Sequence, residues 1–155
     1  MIPLRFFSKD NRYPCIVDAL RSLRVRSITI DGEAVWCGPD GKSDFDRLHS
    51  RAHDEAVCLY DFDLIELDGE DLRPAPLEQR KGKLEKLLAR SDGIRFSQHL
   101  DGDGATIFAH ACKLGLEGIV SKRRDLPYRS GRCKAWVKVK NPASPAVLRI
   151  QDGTW

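Results

Sequence analysis

Four short clusters in this chain combine residue types that can handle a phosphate, a metal ion and an aromatic base. Asp31-Gly32-Glu33 stands at the end of an apolar strand, where Asp-Gly is commonly no more than a turn. Leu59-Tyr60-Asp61-Phe62-Asp63-Leu64-Ile65 carries acids at 61, 63 and, just beyond, 66 along an otherwise apolar strand. Such acids are costly to bury unpaired, so they either face a polar cleft or satisfy the backbone locally. Glu117-Gly118-Ile119-Val120-Ser121-Lys122 sets a carboxylate just before an apolar strand and an ammonium just after it. In Trp136-Val137-Lys138-Val139-Lys140, strand periodicity puts Trp136, Lys138 and Lys140 on one face and the valines on the other. Two lysines so placed repel unless something anionic lies between them. Together the clusters suit a nucleoside triphosphate with its magnesium: carboxylates for the metal, lysines for phosphate, a ring for the base.

These clusters need a folded frame, and 155 residues with 41% apolar and 32% charged content can build one. No apolar run approaches a membrane span, and the first residues, Met1 to Phe7, lack the features of a signal peptide. Five scattered cysteines, none two residues apart from another, lack the spacing of a zinc or thioredoxin site and read as reduced thiols of a cytoplasmic protein. Charge is uneven. Lys122, Arg123, Arg124, Arg129, Arg132, Lys134, Lys138 and Lys140, against the single acid Asp125, give that stretch +7 within a chain of net +3, leaving −4 elsewhere. Charge concentrated in this way attracts a polyanion, although a solvated basic loop would read the same.

Periodicity supplies the elements. Leu4 to Phe7 and Val25 to Ile30 read as strands, with Ile28 and Ile30 on one side, and Pro14 opens a helix through Leu20. Glu33 to Cys37 stays extended up to the turn Gly38-Pro39-Asp40-Gly41, and Ser43 with Asp46 caps a short helix through Phe45 and Leu48. Ala56 to Leu67 is a long strand ended by Asp68-Gly69. Leu77 to Ala89 is a helix with Leu77, Leu84, Leu87 and Leu88 on one side. A short strand at 94–96, a helix over 105–114 with Ile107, Phe108, Ala111 and Cys112 inward, and strands at 118–121 and 135–139 follow. Strands and helices without regular βαβ alternation imply an α+β domain.

The order and wording of the four clusters resemble the nucleotidyltransferase domain of ATP-dependent DNA ligases, in particular the bacterial ligases of end-joining repair. Asp31-Gly32-Glu33 is similar to that family's third motif. Phe62-Asp63-Leu64 with Leu67-Asp68-Gly69-Glu70-Asp71-Leu72-Arg73 is similar to the motif whose ring stacks on adenine. Glu117 to Lys122, with Tyr128-Arg129-Ser130-Gly131-Arg132, resembles the fourth motif, and Trp136 to Lys140 the fifth. The resemblance implies two antiparallel sheets flanked by helices, with ATP in the cleft between them. It implies that Glu33 contacts the ribose and Phe62 stacks on adenine. It assigns Glu117 to a divalent metal, Mg2+ or Mn2+, and Lys138 and Lys140 to the α-phosphate as the catalytic pair. Lys122, Arg123, Arg124, Arg129 and Arg132 would lie along the phosphates of a DNA duplex with a nick or break.

The family reaction begins with a lysine in Lys-x-Asp-Gly attacking ATP. No Asp-Gly here has lysine two residues before it; Arg90-Ser91-Asp92-Gly93 comes nearest, and guanidinium stays protonated. Where family members usually read Ser/Thr-Arg-Asn-Gly, this chain reads Ser8-Lys9-Asp10-Asn11, which keeps a charge and loses the fork. On this reading residues 1–141 are a partial nucleotidyltransferase domain, incomplete at the N-terminus. Residues 142–155, opening with Pro142-Ala143-Ser144-Pro145, are a linker toward an oligonucleotide-binding barrel that is absent. Three outcomes stay open: a remnant inactive alone, a partial enzyme completed by another ligase or end-joining chain, and a non-catalytic nucleic-acid-binding or partner-binding module.

Overall fold

The computed structural model describes residues 12–36, 47–48, 50, 52–131, 133–144 and 147–148. The expected strand at Leu4 to Phe7, the turn at 38–41 and the cap at Ser43 and Asp46 lie outside them; Arg47 and Leu48 are helical. The chain divides into two compact units, Met1–Gln98 and His99–Trp155.

The first unit is built on a long hairpin. Helix α1 (Pro14–Ser22) starts on proline, whose fixed φ suits a first helical position, and buries Ile16, Val17 and Ala19. Strand β1 (Ile28–Trp36) pairs antiparallel with β2 (Val57–Leu67) along its whole length. Beyond β2 the chain turns at Asp68-Gly69, both at positive φ, into the two-residue strand β3 (Glu70–Asp71). Asp68 also accepts the Arg26 amide at 2.6 Å and the Ser27 amide at 3.3 Å, tying that turn to the approach of β1. Helix α2 (Leu77–Leu88) then carries the chain across to β4 (Ile94–Phe96), which lies parallel to β2. A helical crossover is what a parallel pair requires, so one pair in an otherwise antiparallel four-stranded sheet runs parallel. Ile16, Ala34, Leu59, Leu64, Leu84 and Ile94 form the centre of the core.

The second unit holds helix α3 (Gly104–Lys113) and the antiparallel strands β5 (Gly118–Lys122) and β6 (Trp136–Lys140). Asp103 caps α3, accepting the Thr106 amide at 2.9 Å, which holds its carboxyl below the ordinary range. Ala111 is buried and Ile107, Phe108 and Cys112 half-buried, on the face their spacing predicts. Asn141, buried just after β6, donates its amide to the Glu117 carbonyl at 2.6 Å and its side chain to the Leu116 carbonyl at 2.9 Å. It therefore fastens the end of β6 to the start of β5. Ser144 and Val147, within the expected linker, are also buried. Helices and two sheets without repeating βαβ units make the α+β class expected from the sequence. Among the described residues no helix is long and apolar enough to cross a membrane.

Candidate functional site

The β1–β2 ladder slips register twice. Thr29 faces Glu66 and Ile30 faces Leu64; Asp31 faces Asp63 and Gly32 faces Asp61. Ile65 and Phe62 are thus the additional residues of two β-bulges. A bulge inserts one residue into one strand, bends it and re-aims a side chain, and bulges concentrate beside functional sites. Phe62 sits at the second bulge, half-buried. Opposite it, a Cβ on Gly32 would come within 2.7 Å of the Tyr60 carbonyl oxygen and 3.0 Å of the Asp61 Cα. Any side chain there would push β1 off the bulge. Asp31-Gly32-Glu33 was expected at a strand end; it lies inside β1, which continues to Trp36 because β2 offers partners throughout. Glu33 is exposed, facing Tyr60 across the ladder.

Two of the three acids of β2, Asp61 and Asp63, turn inward; Asp61 bonds the local backbone, as one of the two readings of their pattern had it, whereas Asp63 meets a buried cation from α2. Asp63 and Arg80 are both almost wholly inaccessible, at 0% and 1% exposure. Arg80 Nε and Nη2 donate to the two Asp63 oxygens at 2.7 and 2.8 Å, and Nη1 donates to the Ala75 carbonyl. Bidentate geometry of this kind is the strong form of a charge-assisted pair. Asp61 is equally buried and accepts the Asp63 amide on Oδ1 at 3.3 Å. Burial, with Asp31 and Asp63 nearby, pushes its carboxyl up to about 8. Glu66 accepts from the Ser27 hydroxyl at 2.7 Å, and that bond leads the lowering of its carboxyl.

In the second unit β5 and β6 bring together residues distant in sequence. Gly118 faces Lys140 and Val120 faces Lys138. A Cβ on Gly118 would collide with the Val139 carbonyl oxygen at 2.1 Å, so the glycine of Glu117-Gly118 permits the close approach that sets Glu117 beside β6. Lys138 Nζ lies 3.4 Å from Glu117 Oε1, with both side chains nearly half exposed. Lys140 is exposed and has no ion-pair partner among the described residues. On the same strand face Lys122 Nζ sits 4.1 Å above the Trp136 ring, and Tyr128 meets Trp136 edge-on with centroids 5.5 Å apart. Among the described residues no group of three or more His, Cys, Asp or Glu side chains is placed to hold a metal ion.

The arginines expected on DNA divide into two sets. Arg123 donates to both Asp125 oxygens at 3.1 and 2.6 Å, and Arg124 to both Asp101 oxygens at 2.7 and 2.9 Å. The first of these pairs holds the Asp125 carboxyl low and the Arg123 guanidinium high. Arg129 and Lys134, by contrast, have no ion-pair partner among the described residues and line a concavity of about 400 Å³ with Leu126, Pro127, Cys133 and Ala135. Arg132 lies outside the described residues.

The fold, with an aromatic at a bulge in one unit and a carboxylate against lysines in the other, is that of a ligase-type nucleotidyltransferase. Residues 7–140 match the ATP dependent DNA ligase domain, and the chain belongs to that family. It is 40% identical over 134 residues to the multifunctional non-homologous end joining protein LigD of Pseudomonas aeruginosa, covering 83% of this chain and 16% of that protein. To a probable DNA ligase of Sorangium cellulosum it is 37% identical over 156 residues, covering 91% of this chain and 29% of the other. The ligase domain of Mycobacterium tuberculosis LigD superposes with a TM-score of 0.63 at 39% identity, covering 73% of this chain and 37% of that one. A mycobacterial DNA ligase D complexed with ATP and MES superposes equally well, with a TM-score of 0.63. The chain thus spans about a sixth of the LigD protein and under a third of the Sorangium ligase.

Sequence reasoning missed Arg80, the bulge at Phe62 and the carboxylate partners of Arg123 and Arg124. Arg80 left a signal. With Leu77, Leu84 and Leu88 it falls on one helical stripe, so a cation there had to be buried and matched.

Proposed function

We propose that this chain binds ATP and DNA as part of a nick-sealing, end-joining ligase, and that its 155 residues do not take up AMP covalently. The observation that carries the reading is the Glu117–Lys138 pair, held at 3.4 Å by the β5–β6 register with Lys140 next along the same strand face. Anion-neutralising lysines beside a carboxylate are what a phosphate with a bridging cation needs. In this reading Lys138 and Lys140 neutralise the α-phosphate, Phe62 stacks on adenine and Glu33 accepts from a ribose hydroxyl. Glu117 fits Mg2+ or Mn2+ as one carboxylate donor, since such ions are commonly held by one or two carboxylates completed by substrate phosphates and water. When bound, the ion would draw charge from the phosphate oxygens. The basic residues between Lys122 and Lys134 follow the DNA backbone. No lysine stands in a Lys-x-Asp-Gly here, so adenylation would need that motif from outside these residues.

Labelled ATP with magnesium tests this in one experiment. Reversible binding is expected, weakened in Lys138→Ala and in Phe62→Ala, with no label surviving denaturation. Label retained on a lysine, or binding untouched by both substitutions, refutes the reading. Duplex DNA binding without any ATP binding would instead favour a nucleic-acid-binding module.

A further inference from the structure

The bulge that aims Phe62 needs something to hold it, and the side chain of the preceding residue is placed to do so. Asp61 is wholly buried in the first unit. Its Oδ1 accepts the Asp63 amide at 3.3 Å, a hydrogen bond that spans Phe62. Its backbone carbonyl accepts the Ser97 amide at 2.7 Å, joining the same point of β2 to the end of β4. Its Oδ2 is buried and makes no hydrogen bond among the described residues.

We propose that Asp61 is a positioning residue for Phe62: its carboxyl pins the bulge through the Asp63 amide and so fixes the direction of the ring. The inference rests on the reading of Phe62 as the adenine-stacking residue. The charged groups around Asp61 say which form of the carboxyl does this. Asp31 on β1 and Asp63 on β2 oppose its negative charge, and Asp63 is already bound to Arg80 of α2. Lys81 of α2 is a cation acting on it, but that ammonium donates to the Ser97 carbonyl at 2.8 Å and lies 4.5 Å above the Phe96 ring. On β4 the residue facing Asp61 is Phe96, while Arg95 turns to Tyr60. The neutral carboxyl therefore holds the bulge: it keeps a carbonyl acceptor for the Asp63 amide and adds no charge beside Asp31 and Asp63. Its ionisation, near pH 8, adds a third negative charge beside Asp31 and Asp63 in a buried place, a cost that outweighs the stronger bond from the Asp63 amide and loosens the bulge.

The sign of the pH effect follows by linkage. A carboxyl whose folded-state value is raised contributes its full stability below the unfolded value near 4 and loses it as pH rises toward 8. Two variants separate positioning from stability. Asp61→Asn keeps the acceptor and the shape and cannot ionise. Asp61→Val removes the acceptor, and also the buried polar oxygen that lacks a partner.

The test uses the whole 155-residue chain, with urea midpoints, amide exchange at Asp63 and Ser97, the Phe62 ring resonances, and ATP titration from about pH 6 to 9. Asp61→Asn should match the wild type near neutral pH in ring resonances and ATP affinity. It should flatten the wild type's loss of ATP affinity as the folded-state carboxyl ionises around pH 8, and should lack the wild type's decline in urea midpoint as pH rises toward 8. Asp61→Val should shift the ring resonances, speed Asp63 exchange and weaken ATP about fivefold, the equivalent of one ordinary hydrogen bond, while its urea midpoint holds or rises. Unchanged ring resonances and Asp63 exchange in Asp61→Val overturn the proposal, as does an ATP loss that merely tracks a lost urea midpoint. If the wild type binds no ATP, the adenine-stacking reading of Phe62 fails, and the resonances and exchange rates still decide whether Asp61 pins the bulge.

Discussion

The buried ion pair of the first unit and the exposed pairs of the second use the same chemical groups in opposite settings, although the first unit also carries exposed pairs such as Arg73–Asp71. In the first unit Asp63 and Arg80 face each other with almost no exposed surface. In the second, Arg123–Asp125, Arg124–Asp101 and Lys138–Glu117 all leave both partners between about 45% and 70% exposed. A buried pair is weak evidence of net stability, but neither partner can be removed without stranding the other's charge away from water. An exposed pair is worth little and can be exchanged for another ion. The first arrangement therefore sets geometry, here that of the strand carrying Phe62. The second parks cations and carboxylates where phosphate or metal can displace the partner.

The widest separation expected between the two settings is in stability. Arg80→Leu leaves the Asp63 carboxylate buried and unpaired, and should cost about 3–5 kcal/mol. Arg124→Ala, removing an exposed arginine–aspartate pair, should cost about 1 kcal/mol or less. Urea unfolding measures both, and the double variant Arg80→Leu, Asp63→Leu should recover most of the first loss, since apolar groups can replace a buried pair. Equal, small losses in Arg80→Leu and Arg124→Ala would erase the contrast.

That contrast was only half legible in the sequence. Helical and strand periods report which face is buried, and they located α1, α2, α3 and the β5 and β6 strands to within a few residues. Period alone does not report an inserted residue, so the alternation through Asp61, Phe62 and Asp63 hides a bulge visible only against its partner strand. For the same reason Asp31-Gly32-Glu33 looked like a strand end: Asp-Gly has a turn's chemistry, and the close approach of Tyr60 that demands glycine belongs to the tertiary structure. The parallel pairing of β4 rests on three residues after a helix, too few to carry a direction. Arg124 and Asp101 are 23 residues apart on exposed segments, where neither burial nor periodicity signals a pairing. Glu117 and Lys138 were named through the resemblance of their motifs to a ligase family, and their 3.4 Å approach follows only from the β5–β6 register.

A smaller effect should separate the two sets of basic residues within the second unit. Arg123 and Arg124 are each already held by a carboxylate, so a DNA phosphate must displace Asp125 or Asp101 to reach them. Arg129 and Lys134 line one concavity with no ion-pair partner among the described residues. The Arg129→Ala, Lys134→Ala variant should therefore weaken duplex DNA binding more than Arg123→Ala, Arg124→Ala does. Its salt slope should fall by about 0.9 for each phosphate no longer neutralised. A salt series on nicked and intact duplex checks this. A greater loss in the Arg123, Arg124 variant would show that the exposed carboxylates yield readily and that pairing in the absence of DNA does not rank these residues.

The smallest effect, and the one that most sharpens the idea of an exchangeable pair, concerns Glu117 and Lys138. On the proposed function each would occupy the other's ligand position in the 3.4 Å pair: the ammonium where a cation would meet the carboxylate, and the carboxylate where a phosphate oxygen would meet the ammonium. Glu117→Gln removes the competitor for Lys138 and the metal donor in one change. Its sign should consequently depend on the divalent ion. Without the ion, ATP affinity should rise by up to about fivefold, matching the roughly 0.2–1 kcal/mol of an exposed pair. With magnesium, the lost donor should reverse that gain and leave the variant weaker than the wild type. Stability should barely move in either condition, because the pair is exposed. Calorimetric titration of ATP with magnesium and with a chelator resolves the two signs. A loss of equal size in both conditions would mean that Glu117 acts on nucleotide binding through local structure, by its carbonyl bond from Asn141, and not as an exchangeable partner of Lys138.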